Sequence, residues 1–326
     1  MRLIEMVKAS DRRLVAPLMG YPGSKLTDTT LKQNMFNWGI QFWSLSELAQ
    51  NLKPDALFFM MDLSVEVGAL GMPVHFGLDE SPTVDQHLVR APGDLDKFMA
   101  IDVLKDCRAS VFLNTMRLMK ENLDIPKGAY CIGPFTLAGL MMGAEEIALA
   151  AIDDPAFVHE TLQYAAHVIG RYATALIESG ADMVAILEPT GVMLSPRQFD
   201  EFVAPYVAQL VQTFPVSTIL HICGNTTPLI RNMAATGVEG LSLDTAVDFP
   251  AAAKLLPDNV ALIGNIDPIS VLRAMTPAQV AAQTRAFLDA TRDAPNLVLS
   301  SGCDLPQDTP IPNIKAMIEE GKKWRR

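Results

Sequence analysis

Positive charge is in short supply in this chain. Its 26 lysines and arginines face 37 acidic residues, for a formal net charge of -11. A surface of that sign repels polyanions and anionic lipid, so a nucleic-acid partner and work on a membrane face are excluded. The first fourteen residues, "MRLIEMVKASDRRL", mix charges of both signs and lack the apolar core of a signal peptide, so the expected location is the cytoplasm. One stretch, residues 128–144, carries no charge, but its 17 residues are few for a membrane span and are broken by Pro134 and four glycines. It reads as a strand, a loop and the start of a helix. Cysteine is scarce too: Cys107, Cys131, Cys223 and Cys303 lie far apart. In a reducing compartment a disulfide framework is disfavoured, so a cysteine that matters is a metal ligand or a nucleophile.

Against these gaps stands a regular series of apolar, β-rich runs. They begin at Leu14 ("LVAPL"), Ala56 ("ALFFMM"), Ala129 ("AYCIG"), Asp182 ("DMVAIL"), Val216 ("VSTILHI"), Val238 ("VEGLSL"), Val260 ("VALIGN") and Asn296 ("NLVLSS"). Between them lie helical signals. Val158, Leu162, Ala165, Ile169, Tyr172 and Leu176 recur at the period of an amphipathic helix, which Gly180 ends. Ser195 before Pro196, and Thr276 before Pro277, have the form of an N-cap followed by proline at the first helical position.

Eight strands alternating with helices, in a chain somewhat longer than the usual ~250 residues, predict an α/β fold of the (β/α)8 TIM-barrel type. A doubly wound sheet would carry a G-x-G-x-x-G turn after an early strand, and none is present. Residues 63–94 are too long for a βα connection and predict an insertion after strand 2, over the barrel mouth, in a single domain spanning 1–326.

In such a barrel the active site lies where the strands end at their C-terminal side. The polar residues there are Asp62, Glu188, His221, Cys223, Asp244, Asn265, Asp267 and Cys303. His221 and Cys223, in "LHICGN", are two apart on a strand and so point to the same face. Alone they fit a buried cysteine beside a hydrogen-bonded histidine. With Cys303 at another strand end they become a zinc set, and Asp244, in "LSLD", is the candidate fourth, displaceable ligand. Two thiolates and an imidazole leave zinc neutral overall, a soft Lewis acid suited to holding a substrate thiol deprotonated for alkyl transfer.

The segments "LHICGN", "EGLSLD", "GNIDP", "LSPRQFDEFVAPY" and "SSGCD…TPIPNIKAM" resemble the uroporphyrinogen decarboxylase superfamily and, within it, the zinc-containing corrinoid methyltransferase branch, which includes methylcobamide:coenzyme M methyltransferases. The resemblance covers nearly the whole chain and is strongest from Gly180 onward. It implies a (β/α)8 barrel, Zn2+ held by His221, Cys223 and Cys303, and methyl transfer between a small thiol and a cobalt corrinoid (methylcobalamin) carried by a partner corrinoid protein. Coenzyme M branch members tend to have an acidic residue where Asp244 stands. The reaction could also run as a demethylase, with a methoxy, methylamine or methylthio donor. Further alternatives are a metal-free decarboxylase and a non-enzymatic barrel clipped by zinc. The decarboxylases bind propionates with an arginine-rich first strand, which this chain lacks, although Asp62 falls where they place a pyrrole-binding aspartate.

Glu188 and Asp62 are the candidate catalytic carboxylates. Glu188, in "ILEPTG", serves either the reaction or the capping of a nearby segment. Asn265 and Asp267 suit a turn before Pro268. His75, His87, His159 and His167 have ordinary explanations, the last two on a surface helix. "DQHLVR" lacks the glycine of a cobalamin-carrier motif, so the corrinoid is expected on another protein. Cys107 and Cys131 read as buried thiols. Met60, Met61, Met141 and Met142 are core filler or an apolar lining for a corrin ring.

Overall fold

All eight expected strands form in the computed structural model, which describes residues 2–325. They are β1 (Leu14–Val15), β2 (Leu57–Phe58), β3 (Lys127–Ile132), β4 (Met183–Leu187), β5 (Ser217–Ile222), β6 (Gly240–Leu243), β7 (Ala261–Ile266) and β8 (Leu297–Ser301). The sheet runs in the order β1-β8-β7-β6-β5-β4-β3-β2, and each neighbouring pair is parallel. Every strand therefore ends on the same side.

β1 and β2 meet across the seam through Asp55. Its N–H donates to Val15 O (2.9 Å), while its carboxylate accepts from Val15 N (2.8 Å) and from both Arg12 amino groups (2.6 and 2.7 Å). A side chain thus replaces part of the ladder that two-residue strands cannot make.

The barrel interior is filled by side chains and leaves a cavity of about 60 Å3 among Phe58, Tyr130, Met183, Ile219 and Ile263. Leu3 and Met6, from the helix Leu3–Ala9, line the same cavity, and His221 and Ser242 border it too.

The helical signals hold with one adjustment. Helix Pro155–Glu178 buries Val158, Leu162, Ile169 and Leu176, each worth roughly 1.5–3 kcal/mol. Ser195 and Thr276 accept from Gln198 N and Gln279 N as N-caps. The segment after Ser195 is two helices, Pro196–Phe202 and Ala204–Thr213, because Pro205 cannot continue the first ladder. The charge-free stretch is β3 followed by the buried helix Pro134–Met142. Gly143, at φ +107°, then turns the chain by 104° into Ala144–Asp153. Among the described residues no single helix is long and apolar enough to cross a membrane.

Residues 63–94 hold a short helix, Val65–Ala69, and a two-stranded antiparallel ribbon, Val74–His75 with Thr83–Val84. Asp79 accepts from Leu31 N and from Gln307 Nε2, Ser81 donates to the Tyr21 hydroxyl, and His87 Nδ1 lies 2.8 Å from Leu140 O. These partners follow β1, β8 and β3.

Candidate metal centre

Two strand ends bring three side chains together. His221 is on β5, Cys223 just past it, and Cys303 two residues past β8. His221 Nε2 lies 3.0 Å from Cys223 Sγ, Cys223 Sγ 3.2 Å from Cys303 Sγ, and Cys303 Sγ 3.7 Å from His221 Nε2. The ladder explains the orientation: His221 and Ser242 are Cα partners between β5 and β6, and Nδ1 lies 2.9 Å from Ser242 Oγ. That contact turns Nε2 toward the sulfurs. The main-chain N–H of Glu188 also donates to His221 O at 2.9 Å.

The donors fit zinc in kind and scale. Tetrahedral Zn–S bonds of ~2.3 Å and Zn–N bonds of ~2.0 Å place ligand atoms roughly 3.5–3.8 Å apart, so the two edges that meet at Cys223 need to lengthen by about half an ångström and the third is already near its length. The hydrogen bond from the Cys303 thiol lowers Cys223 toward its thiolate, whereas that same bond and burial push Cys303 up.

Asp244 lies outside this triangle of donors. Its carboxylate accepts from Ala246 N (3.0 Å), from Thr245 Oγ1 (3.1 Å) and from Gly224 N, holding the β6 exit loop beside Cys223. Asn265 ties the same loop, donating to Asp244 O and Val247 O, while Asp267 caps the turn after β7.

Glu188 caps a helix N-terminus. Wholly buried, it accepts from Phe135 N (2.9 Å), Thr136 N (2.5 Å) and the Thr136 hydroxyl, at the start of helix Pro134–Met142. Burial pushes its carboxyl up to about 7 against those hydrogen bonds. Asp62 is likewise engaged: Oδ2 pairs with Arg108, and Oδ1 accepts from Ser64 N and Ser64 Oγ. Arg108 lies over the rings of Phe76 (4.5 Å) and Phe36 (5.7 Å). Neither carboxylate belongs to the His221, Cys223, Cys303 group of donors.

Other expectations need correction. Cys107 is exposed, at the first position of helix Cys107–Asn122, where no core covers it, while Cys131 is buried. Met60, Met141 and Met142 are buried, and only Met61 is partly exposed, so they do not line an open mouth. Exposed apolar side chains come instead from Val192 and Met193 after β4, Ile269 after β7, and Leu78 in 63–94. His159 is half-buried, its Nδ1 2.8 Å from the Tyr206 hydroxyl.

Sequence reasoning missed Ser242, Arg108 and Asp304. Ser242 stood inside "LSLD", but only the strand register identifies it as the partner of His221. Asp304 follows Cys303, and burial together with that neighbour pushes its carboxyl well above the usual range. It lines a cleft of about 540 Å3 with Tyr21, Asp79, Arg273, Gln307 and Asp308.

A profile of the uroporphyrinogen decarboxylase (URO-D) family matches residues 46–324. The chain is 30% identical over 288 residues to the methylcobamide:CoM methyltransferase MtbA of Methanosarcina acetivorans, covering 83% of this chain and 80% of the relative. It is 27% identical over 263 residues to the methylcobamide:CoM methyltransferase MtaA of Methanosarcina barkeri, covering 78% and 76%. A solved methyltransferase from Methanosarcina mazei superposes with a TM-score of 0.90 at 24% identity, over 99% of this chain and 97% of that one, and so shares the fold.

Proposed function

Because the chain belongs to the uroporphyrinogen decarboxylase family, we propose that it is a zinc-dependent methyltransferase of that family, moving a methyl group between a cobalt corrinoid on a partner protein and a small thiol of about the size of coenzyme M. The observation that carries this reading is the closeness of His221, Cys223 and Cys303, whose ligand atoms all lie within 4.8 Å of one another. Zinc bound there supplies Lewis acidity that keeps a thiol deprotonated near neutral pH.

The chain's own residues supply placement. Ser242 holds His221 with Nε2 toward the sulfurs, and the Glu188 N–H holds its main chain. Exposed Val192, Met193, Ile269 and Leu78 give a corrinoid protein an apolar rim to meet. In the transfer the thiolate sulfur forms the S–C bond as the Co–C bond breaks, its electron pair staying on cobalt. We take 1–326 as one barrel domain, with 63–94 walling its mouth.

The decarboxylase reading is weakened at Asp62. An aspartate that must receive pyrrole N–H groups needs free oxygens, and here Arg108 and Ser64 occupy both.

The test is to measure zinc content and methyl transfer from methylcobalamin to thiols, in the wild type and in Cys223→Ala. One equivalent of zinc, with transfer abolished in the variant, supports the proposal. Bound zinc with no transfer to any thiol, but demethylation of a methoxy or methylamine donor by a reduced corrinoid protein, would assign the opposite direction. A zinc-free protein would sink the metal reading.

A further inference from the structure

We infer that Cys223 and Cys303 form a redox switch: hydrogen peroxide joins them in a disulfide, which expels the metal and stops transfer until a small thiol reduces the bond. This is regulation of the centre proposed above, and its effect on transfer rests on the methyl-transfer reading.

The two sulfurs lie 3.2 Å apart, against ~2.05 Å in a disulfide, so the gap to be closed is about 1.2 Å. Cys223 follows the last residue of β5 and Cys303 lies two residues past β8. Side-chain rotation and a small loop shift therefore suffice, with both strand ladders left paired. Both cysteines are half-buried, which leaves a small oxidant a route to them. Cys131 is covered by the core, and Cys107 is exposed but has no second cysteine beside it. Among the described residues, Cys223 and Cys303 are the only cysteines whose sulfurs touch. A reachable sulfur with a resolving sulfur in contact is the arrangement of redox-sensing cysteines. In a reducing compartment, the disulfides that do form are mostly of this transient kind.

The chemistry balances with peroxide as the oxidant. One sulfur attacks it, forming an S–O bond as the O–O bond breaks and hydroxide leaves. The second sulfur attacks the first, forming the S–S bond as the S–O bond breaks, and that oxygen leaves as water. In sum two thiols and one peroxide give one disulfide and two waters, the sulfurs losing the two electrons that peroxide gains. Of the three donors only His221 then remains, too few to hold zinc. Thiol–disulfide exchange reverses the step, since two small thiols restore the pair and leave as their own disulfide. A centre that takes a small thiol as substrate thus admits its own reductant.

The experiment treats the zinc-loaded protein with hydrogen peroxide and follows it with a chromogenic zinc chelator, thiol titration in denaturant and peptide mass analysis. The expected result is loss of the bound zinc and a fall in titratable thiols from four to two. A peptide linking Cys223 to Cys303, lighter by two hydrogens, should appear with it. Adding 2-mercaptoethanesulfonate and zinc should return the thiols and the metal. Cys107→Ser should lose zinc in the same way, its three thiols falling to one.

Zinc retained under peroxide, thiols lost as sulfinic or sulfonic acid without the linked peptide, or a disulfide that includes Cys107 overturns the proposal. If the protein methylates no thiol before oxidation, the methyl-transfer reading fails by itself. Zinc release and the linked peptide are read without turnover and still decide the switch.

Discussion

Ser242 Oγ lies 2.9 Å from Nδ1 of His221, and the two residues face each other across the β5–β6 ladder. A partner at Nδ1 fixes the imidazole tautomer and leaves Nε2 free for a metal. Ser242→Ala is expected to weaken zinc affinity about 10–100-fold with the fold intact. Competition with a chelating dye measures this, and unchanged affinity would remove Ser242 from the site.

Gly302 couples the Cys303 loop to the β6 exit. A Cβ at Gly302 would sit 2.8 Å from Thr245 N and 2.7 Å from Thr245 Cγ2, next to Asp244. Gly302→Ala is expected to cost about 1–3 kcal/mol and to lower zinc stoichiometry, because the loop that carries Cys303 must shift. Urea unfolding and metal analysis read the two effects separately. A variant as stable and as metal-rich as the wild type would show that the loops yield freely.

The Asp62–Arg108 pair is buried on both sides and clasped by Phe36 and Phe76. Arg108→Leu leaves an unpaired buried carboxylate and is expected to destabilise the protein by about 3–5 kcal/mol. Asp62→Asn with Arg108→Leu together should cost less than the sum of the single changes, since neither charge then remains alone. Additive costs in a double-mutant cycle would show that the pair is not coupled.

Glu188 gives a pH dependence of known sign. Burial raises its folded-state carboxyl from 4.5 to about 7. Between those values the folded protein keeps a proton that the unfolded chain has released, so this group's contribution to stability is greatest below 4.5. It falls as pH rises to about 7, then levels off. Subtracting the Glu188→Gln curve from the wild-type curve of urea midpoint against pH should give that falling slope. A flat or rising difference across the window would contradict the assignment. Glu66, also buried and also raised to about 7, should behave likewise in Glu66→Gln.

The sequence by itself determined the eight strands, the helices capped at Ser195 and Thr276, and the three metal-capable side chains. These are encoded locally: strand period puts His221 and Cys223 on one face, and a buried parallel strand reads as an unbroken apolar run. Only the tertiary structure decided what the remaining polar groups do. Ser242 serves His221 because β6 lies beside β5 in one particular register, and Asp62 is spent on Arg108, 46 residues away. Glu188 reaches across to cap a helix 52 residues earlier in the chain. The sequence spacing of a pair does not reveal which strand borders which or how deep a carboxylate lies. Those depend on barrel closure, which sets every strand end against its neighbours at once.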